Sequence, residues 1–379
     1  MRRQLLLTAV ISSLSLAGCA SWFEGSSQFQ PTPLAAIKPL QTLELKWTLQ
    51  QAAPAGSFLP VYANGNVVTA DASGRIRSID ALSGRVQSDV SLKRGLSTGV
   101  AVSGDTVLVG TQDAKLLAVD RVSGKTLWEQ SLTSLMLEAP QIAGDKVIVR
   151  TNDARLTGFN LADGKQQWSV GNVLPQLTVR NDGSMRAVGR EAVMVGQAGG
   201  QLDIINPQTG NSLWQGAVAT PRGATELERV TDVTSRPVFD GGQVCAVAYQ
   251  GRVACFEARS GSLQWAREIS SSRGLAVDAR NVYVTAENGS VWAYDRQSGR
   301  NVWKNDDLKY RDVSGPVMLG RFVLVVDGEG YAHLLSNESG GIVGRSKIGT
   351  SGPVNQPVSL GSSALVQGQD GRLAMLNLG

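Results

Sequence analysis

A glycine recurs along this chain at a nearly fixed distance: Gly84, Gly124, Gly164, Gly210, Gly261, Gly299 and Gly340, at intervals of 40, 40, 46, 51, 38 and 41 residues. A period of that size marks a chain built from copies of one small unit, each needing its neighbours to cover its apolar faces. Within a unit the pattern has period two. Val107 and Val109 alternate with other residues after Gly104 and Asp105, and a turn at Gln112 and Asp113 leads into Leu116, Ala118 and Asp120. Similar hairpins are GDKVIVRTNDARLTGFN, RNVYVTAENGSVWAYD and GRFVLVVDGEGYAHLLS. Alternating β-branched residues bounded by Gly, Asn and Asp are strands, and no segment after the N-terminus carries a long helical period.

Each unit supplies about four strands: a short one before the hairpin (LEAPQIAG, VTSRPVFDG, VSGPVMLG), the two hairpin strands, and one running to a tryptophan. A single sheet of that size leaves apolar faces open, whereas sheets packed face to face around an axis cover them. The expected fold is therefore all-β, an eight-bladed β-propeller of four-stranded antiparallel blades. The last unit, DGRLAMLNLG, stops before its outermost strand, and LELKWTLQ near the N-terminus supplies one. Pairing of that N-terminal strand with the last blade would close the ring and remove an exposed edge.

Trp128, Trp168, Trp214, Trp265 and Trp303 each fall four residues after a turn glycine, and Trp47 is expected to do the same work for the closing strand. Indoles are large apolar wedges suited to the gap between blades. Ser88 and Gly344 stand in the tryptophan position of two units, which should be held less tightly. A second recurring position reads Asp80, Asp120, Asn160, Asn206, Glu257, Asp295, Ser336 and Asn377, eight acceptors at a mean spacing of 42.4 residues. It conserves a short oxygen acceptor and not a charge, as expected for a group that binds the N–H of the following turn; a hard cation would require carboxylates more consistently. These repeated positions are read as scaffold.

Catalytic chemistry is not evident. The one histidine, His333, lies in a strand pattern without a second histidine or nearby cysteine that could complete a zinc set. There is no G-x-S-x-G elbow, phosphate loop or H-E-x-x-H motif. Neither a cofactor nor a metal is expected.

The N-terminus differs in kind. MRRQLLLTAVISSLSLAGC has two arginines, an apolar run from Leu5 to Ala17 and small residues before a cysteine, the layout of a secretory signal over residues 1–18. LAGC, Leu16 to Cys19, is similar to a bacterial lipobox, which implies acylation of Cys19 and a membrane anchor. Ala20, where inner-membrane lipoproteins commonly carry Asp, points to the outer membrane, on its periplasmic face. Residues 19–40, with Ser, Gln and three prolines in the stretch after Cys19, read as a lipidated tether, and residues 41–379 as the propeller. Removing the signal leaves 34 Lys and Arg against 32 Asp and Glu, with no basic run resembling a nucleic-acid footprint.

The other two cysteines, Cys245 and Cys255, flank a hairpin turn at Tyr249, Gln250 and Gly251. A two-residue turn sets Cys245 opposite Phe256 and points the thiols to opposite faces; a three-residue turn sets the cysteines opposite each other. Free, buried thiols are the expectation.

The repeat A-x-D-x-x-[ST]-G-x-x-x-W resembles the tryptophan-docking repeat of quinoprotein (PQQ) dehydrogenase propellers. With the lipobox and a length near 380 residues, the whole chain resembles the propeller lipoproteins of the outer-membrane β-barrel assembly machinery. LTVR at Leu177 to Arg180 and TELERVTDV at Thr225 to Val233 support this. They fall in the two long intervals, whose loops should border one patch on adjacent blades. The resemblance implies a non-catalytic scaffold that binds the barrel-assembly protein BamA through its POTRA domains, with Leu177, Val179, Arg180 and Asp232 as contacts and unfolded outer-membrane chains as further partners. Thr234 stands where the family usually has a second acid. Read without the family, Leu177 and Val179 fit a core strand equally well. The alternative function is a PQQ-dependent or other cofactor-binding periplasmic enzyme, against which stands the lack of adjacent cysteines.

Overall fold

The computed structural model describes residues 29–54, 58–171, 177–179, 184–352 and 356–379. It contains eight four-stranded antiparallel sheets. Seven are built from consecutive strands; blade 1, for example, comprises Val61–Ala63, Asn66–Ala70, Arg75–Asp80 and Val86–Ser91. Blade 8 takes Val358–Leu360, Ser363–Gln367 and Arg372–Leu378 from the C-terminus and Leu43–Gln50 from the N-terminus. The closing pair runs from Leu43 opposite Leu378 to Gln50 opposite Arg372, with a bulge between Leu45 and Trp47. The ring closes as the sequence pattern requires.

Burial follows strand position. The two middle strands of a blade are covered on both faces, as in Phe322–Val326 and Tyr331–Ser336, and so are apolar almost throughout. The outermost strand alternates, as in Thr126–Ser131, because one face meets solvent. Eight apolar clusters form, one between each pair of neighbouring blades. One of them joins blade 8 (Leu365, Leu373, Met375) to blade 1 (Val67, Ile79) across the seam. First strands of most successive blades touch around the axis, and Gln356, leading into blade 8, donates to the carbonyls of Leu275 in blade 6 and Pro316 before blade 7.

The tryptophans reach across blade boundaries. The indole N–H of Trp47 donates to the Ala81 carbonyl, Trp128 to Leu161, Trp168 to Pro207, Trp214 to Ala258, Trp265 to Arg296 and Trp303 to Asn337, at 2.8–3.0 Å. Each acceptor follows the recurring Asp, Asn, Glu or Ser of the next blade. Each indole also lies on that blade's turn glycine. A Cβ on Gly340 would sit 2.4 Å from the Trp303 ring, and the φ of +73° there is one that side chains disfavour. The recurring oxygens accept turn N–H groups: Asp80 from Ser83 at 2.8 Å, Asn160 from Ala162 at 2.9 Å, Glu257 from Ser260 at 2.6 Å. Ser88 retains the hydrogen bond, its hydroxyl donating to the Arg121 carbonyl at 3.0 Å, while Val90 covers Gly124 in place of a ring. At Gly344 the main chain of Gln41 occupies the space of a side chain.

Two findings depart from the sequence reading. Cys245 and Cys255 form a disulfide, with Cα atoms 4.1 Å apart, correcting the expectation of free thiols. The turn is the three-residue one: Cys245 pairs with Cys255 in register, Ala248 bonds to Arg252, and Gln250 takes φ +49°. The bridge is buried in the cluster between blades 5 and 6. In the loop-entropy account, replacing both cysteines by alanine should lower the unfolding free energy by about 2.7 kcal/mol. Urea denaturation checks this; an unchanged midpoint would mean that the hairpin alone already confines the loop.

The second concerns residues 29–42, most of which fall in the expected tether. They lie against blades 6 and 7. Phe29 packs on Tyr310 with ring centroids 5.1 Å apart, and Thr32 bonds through its N–H to Lys309. Arg311 and Arg345 donate to the carbonyls of Thr32 and Ala35. Leu34 packs against the cluster between the two blades, and Leu40 and Gln41 both bond to Val343.

Candidate functional site

The two long inter-blade connections meet at Asp232. Its stretch, Val230–Val233, is buried between the turn at Gln197–Gly200 in blade 4 and the turn at Ala248–Arg252 in blade 5. Val233 N–H donates to the Gln197 carbonyl and Tyr249 N–H to the Asp232 carbonyl. Apolar Val230 and Val233 drive this stretch inward, and Gly196 leaves the room, since a Cβ there would sit 2.6 Å from Val233.

Asp232 is 2% exposed. Its two carboxylate oxygens accept main-chain N–H bonds from Val179 at 2.6 Å and Gly199 at 2.9 Å. Burial raises its pKa, and the two N–H bonds partly offset that rise. The side chain thus clamps the connection after blade 3 onto blade 4 and presents nothing outward itself. Substituting it would free the Val179 segment and leave two half-buried N–H donors without their acceptor.

Leu177 is 50% exposed, Thr178 is exposed and Val179 half-buried. None of the three lies in a strand, so the core-strand reading does not describe Leu177. Arg180, like Cys19, lies outside the described residues. The Thr234 hydroxyl oxygen is buried without a hydrogen-bond partner.

Sequence reasoning missed Leu227, five residues before Asp232 and 71% exposed. Its loop is held by a reciprocal turn: Glu228 accepts the N–H groups of Ala224 and Thr225 at 2.8 and 3.1 Å, and Glu228 N–H donates to the Thr225 hydroxyl. The Thr-x-x-Glu spacing is that of a capping box and was a readable signal. The site is therefore two exposed leucines on braced connections beside a buried acid. That arrangement suits docking of a macromolecule. Among the described residues, no group of three or more His, Cys, Asp or Glu side chains is placed to hold a metal, and no helix is long and apolar enough to cross a membrane.

A family model described as outer membrane protein assembly factor BamB matches residues 72–305. Curated proteins of that name include one from Pseudomonas aeruginosa, 43% identical over 365 residues and covering 95% of both chains. The one from Bordetella pertussis is 36% identical over 96% of this chain and 94% of its own, and that from Escherichia coli K12 is 33% identical over 97% of each. Among solved structures, BamB from Moraxella catarrhalis superposes with a TM-score of 0.80 at 25% identity, covering 88% of this chain and 99% of that one. Quinohemoprotein alcohol dehydrogenase from Comamonas testosteroni, at 13% identity and a TM-score of 0.66, shares the fold alone. On the repeat, the closed ring and these near full-length relationships, the chain belongs to the BamB family of outer membrane protein assembly factors.

Proposed function

We propose that this protein is a non-catalytic scaffold lipoprotein of the outer-membrane β-barrel assembly complex, binding BamA through its POTRA domains and aiding insertion of outer-membrane proteins. Family membership supports the assembly role. The observation that carries the docking site is the Asp232 clamp, which fixes the Leu177 segment, with its exposed leucine, to a rigid pair of blades. Leu177 and Val179 offer apolar contact, Arg180 offers charge-assisted bonds, and Asp232 acts from beneath by holding their backbone. Acylation of Cys19 would put the protein on the periplasmic face of the outer membrane. An extended chain from Cys19 to Phe29 spans at most about 35 Å, so the docked strap at blades 6 and 7 would keep that side near the membrane.

The test is co-purification with the partner from detergent-solubilised envelope. Leu177→Glu and Arg180→Glu should each reduce the retained partner about tenfold, equivalent to about 1.4 kcal/mol. Leu177→Glu, at an exposed position, should shift unfolding by no more than about 0.5 kcal/mol. Full retention of the partner by both variants would remove the site from consideration.

A further inference from the structure

The bonds that hold residues 29–42 on blade 7 converge on one histidine. Arg345, in the outermost strand of that blade, donates through Nη1 to the Ala35 carbonyl at 2.9 Å and through Nε to His333 Nδ1 at 3.2 Å. Two residues earlier in the strand, the Val343 carbonyl accepts the N–H groups of Leu40 and Gln41 at 2.8 and 3.1 Å. On the far side of the imidazole, Nε2 lies 3.0 Å from the Asp327 carboxylate, which also accepts from Arg311 at 2.9 Å. Arg311 in turn donates to the Thr32 carbonyl at 3.0 Å. Both strap carbonyls are thus held by guanidinia that touch His333 or its carboxylate partner. Apolar packing adds little, since Phe29 is largely exposed and Leu34 only half-buried.

This arrangement requires a neutral imidazole. Nδ1 accepts from Arg345 through its lone pair, and a proton there makes it a second donor facing the Arg345 Nε–H. Two N–H groups cannot bond to each other, so protonation breaks this contact and sets a third positive charge beside Arg345 and Arg311. Among the described residues, Asp327 is the carboxylate in contact with the ring, and it keeps its bond to Nε2 in either state. The other charged groups around the ring act at one remove. Glu329 pairs with Arg311 at 2.7 Å, Asp307 favours the charge on Arg345, and Lys347 lies over the Tyr331 ring, which is itself 6.3 Å from the imidazole. The strap meets these arginines through main-chain carbonyls, which bring no charge of their own.

We infer that residues 29–42 form a pH-sensitive strap: protonation of His333 turns Arg345 away, frees the Ala35 carbonyl and undocks the segment while the propeller stays folded. By linkage, docking of the strap disfavours the proton to the same degree. Burial and the Arg345 and Arg311 charges do hold the His333 pKa below its ordinary value, against the pull of Asp327. On the acylation reading, undocking would extend the free tether, now Cys19 to Leu43, from about 35 Å to about 80 Å. The switch itself depends on the network alone and operates with or without the anchor.

The experiment is hydrogen–deuterium exchange of the full chain in detergent at pH 7.5, 6.0 and 5.0, corrected for intrinsic rates. Protection of residues 29–42 should fall about fivefold from the highest pH to the lowest, with the blade 7 core strands Phe322–Val326 and Tyr331–Ser336 unchanged. His333→Gln, which cannot take up the proton, should keep strap protection constant across the range. Arg345→Gln, at a half-buried position, cuts the link, so its strap should exchange fast at every pH without a step. The single histidine gives a second reading through its Cε1–H resonance. Leu34→Glu, which undocks the strap without touching the network, should raise the His333 titration midpoint by about one pH unit. Strap protection independent of pH in the parent, the same loss in His333→Gln, a pH step retained in Arg345→Gln, or a midpoint unmoved by Leu34→Glu would each overturn the inference.

Discussion

Replacing Trp303 with alanine should lower the unfolding free energy by about 3–5 kcal/mol. The indole is 7% exposed, donates to the Asn337 carbonyl at 3.0 Å and packs beside Tyr283 with ring centroids 5.7 Å apart. Its removal opens a cavity between blades 6 and 7 and leaves the far face of Gly340 bare. The same boundary can be broken from the other side. Gly340→Ala would force a side chain into a left-handed backbone conformation, costing about 1–2 kcal/mol, and press its Cβ into the ring. Ser88 supplies the contrast, because it makes the equivalent hydrogen bond without any ring. Ser88→Ala should therefore cost only about 1 kcal/mol. Urea denaturation of the three variants, followed by far-ultraviolet circular dichroism, checks the order. Equal losses at Ser88 and Trp303 would mean that the indole contributes its hydrogen bond and little packing.

That contrast also shows what the sequence could convey. The strand pattern and the roles of the tryptophan and turn-acceptor positions were legible because each recurs from unit to unit, and a repeated local pattern reports a repeated local environment; ring closure was legible as the one strand by which the last unit breaks that pattern. What recurs once was not. Whether Cys245 faces Cys255 depends on one extra turn residue and a positive φ at Gln250, a choice to which period-two alternation is blind. The docking of residues 29–42 depends on Arg311 and Arg345, whose partners Thr32 and Ala35 lie 279 and 310 positions away. The motif around Asp232 was readable, but the direction of its carboxylate was not: an acid in a polar loop reads as an outward contact, and here flanking Val230 and Val233 draw it inside. His333, set aside as an ordinary strand residue without a metal, proves to be the centre of a buried network whose members are scattered over blade 7.

In that network Arg311 is the member whose loss should be felt most. Asp327 is fully buried and its carboxylate receives the Arg311 Nε at 2.9 Å and the His333 Nε2 at 3.0 Å. Arg345 donates to His333 Nδ1 at 3.2 Å, which fixes the tautomer with the proton on Nε2. Arg311→Met would strand the carboxylate and release the strap at Thr32, for an expected loss of about 3–5 kcal/mol. Adding Asp327→Asn should recover part of it, since the amide oxygen still accepts from His333 and carries no charge. Burial, with the Arg345 and Arg311 charges, holds the His333 pKa below its ordinary 6.5, outweighing the pull of Asp327. The unfolded chain then takes up a proton before the folded one, so stability is full above about pH 6.5 and falls as pH drops from there toward the folded value. Burial pushes Asp327 up, but the hydrogen bonds from His333, the Tyr331 N–H and Arg311 hold it below its ordinary 3.8, so a second loss of the same sign begins below that pH. Because the sequence has one histidine, the upper window can be assigned without ambiguity. Unfolding free energies at pH 7.5, 6.0 and 5.0 should decline for the parent and decline less for His333→Gln; parallel declines would show that His333 binds its proton equally well folded and unfolded.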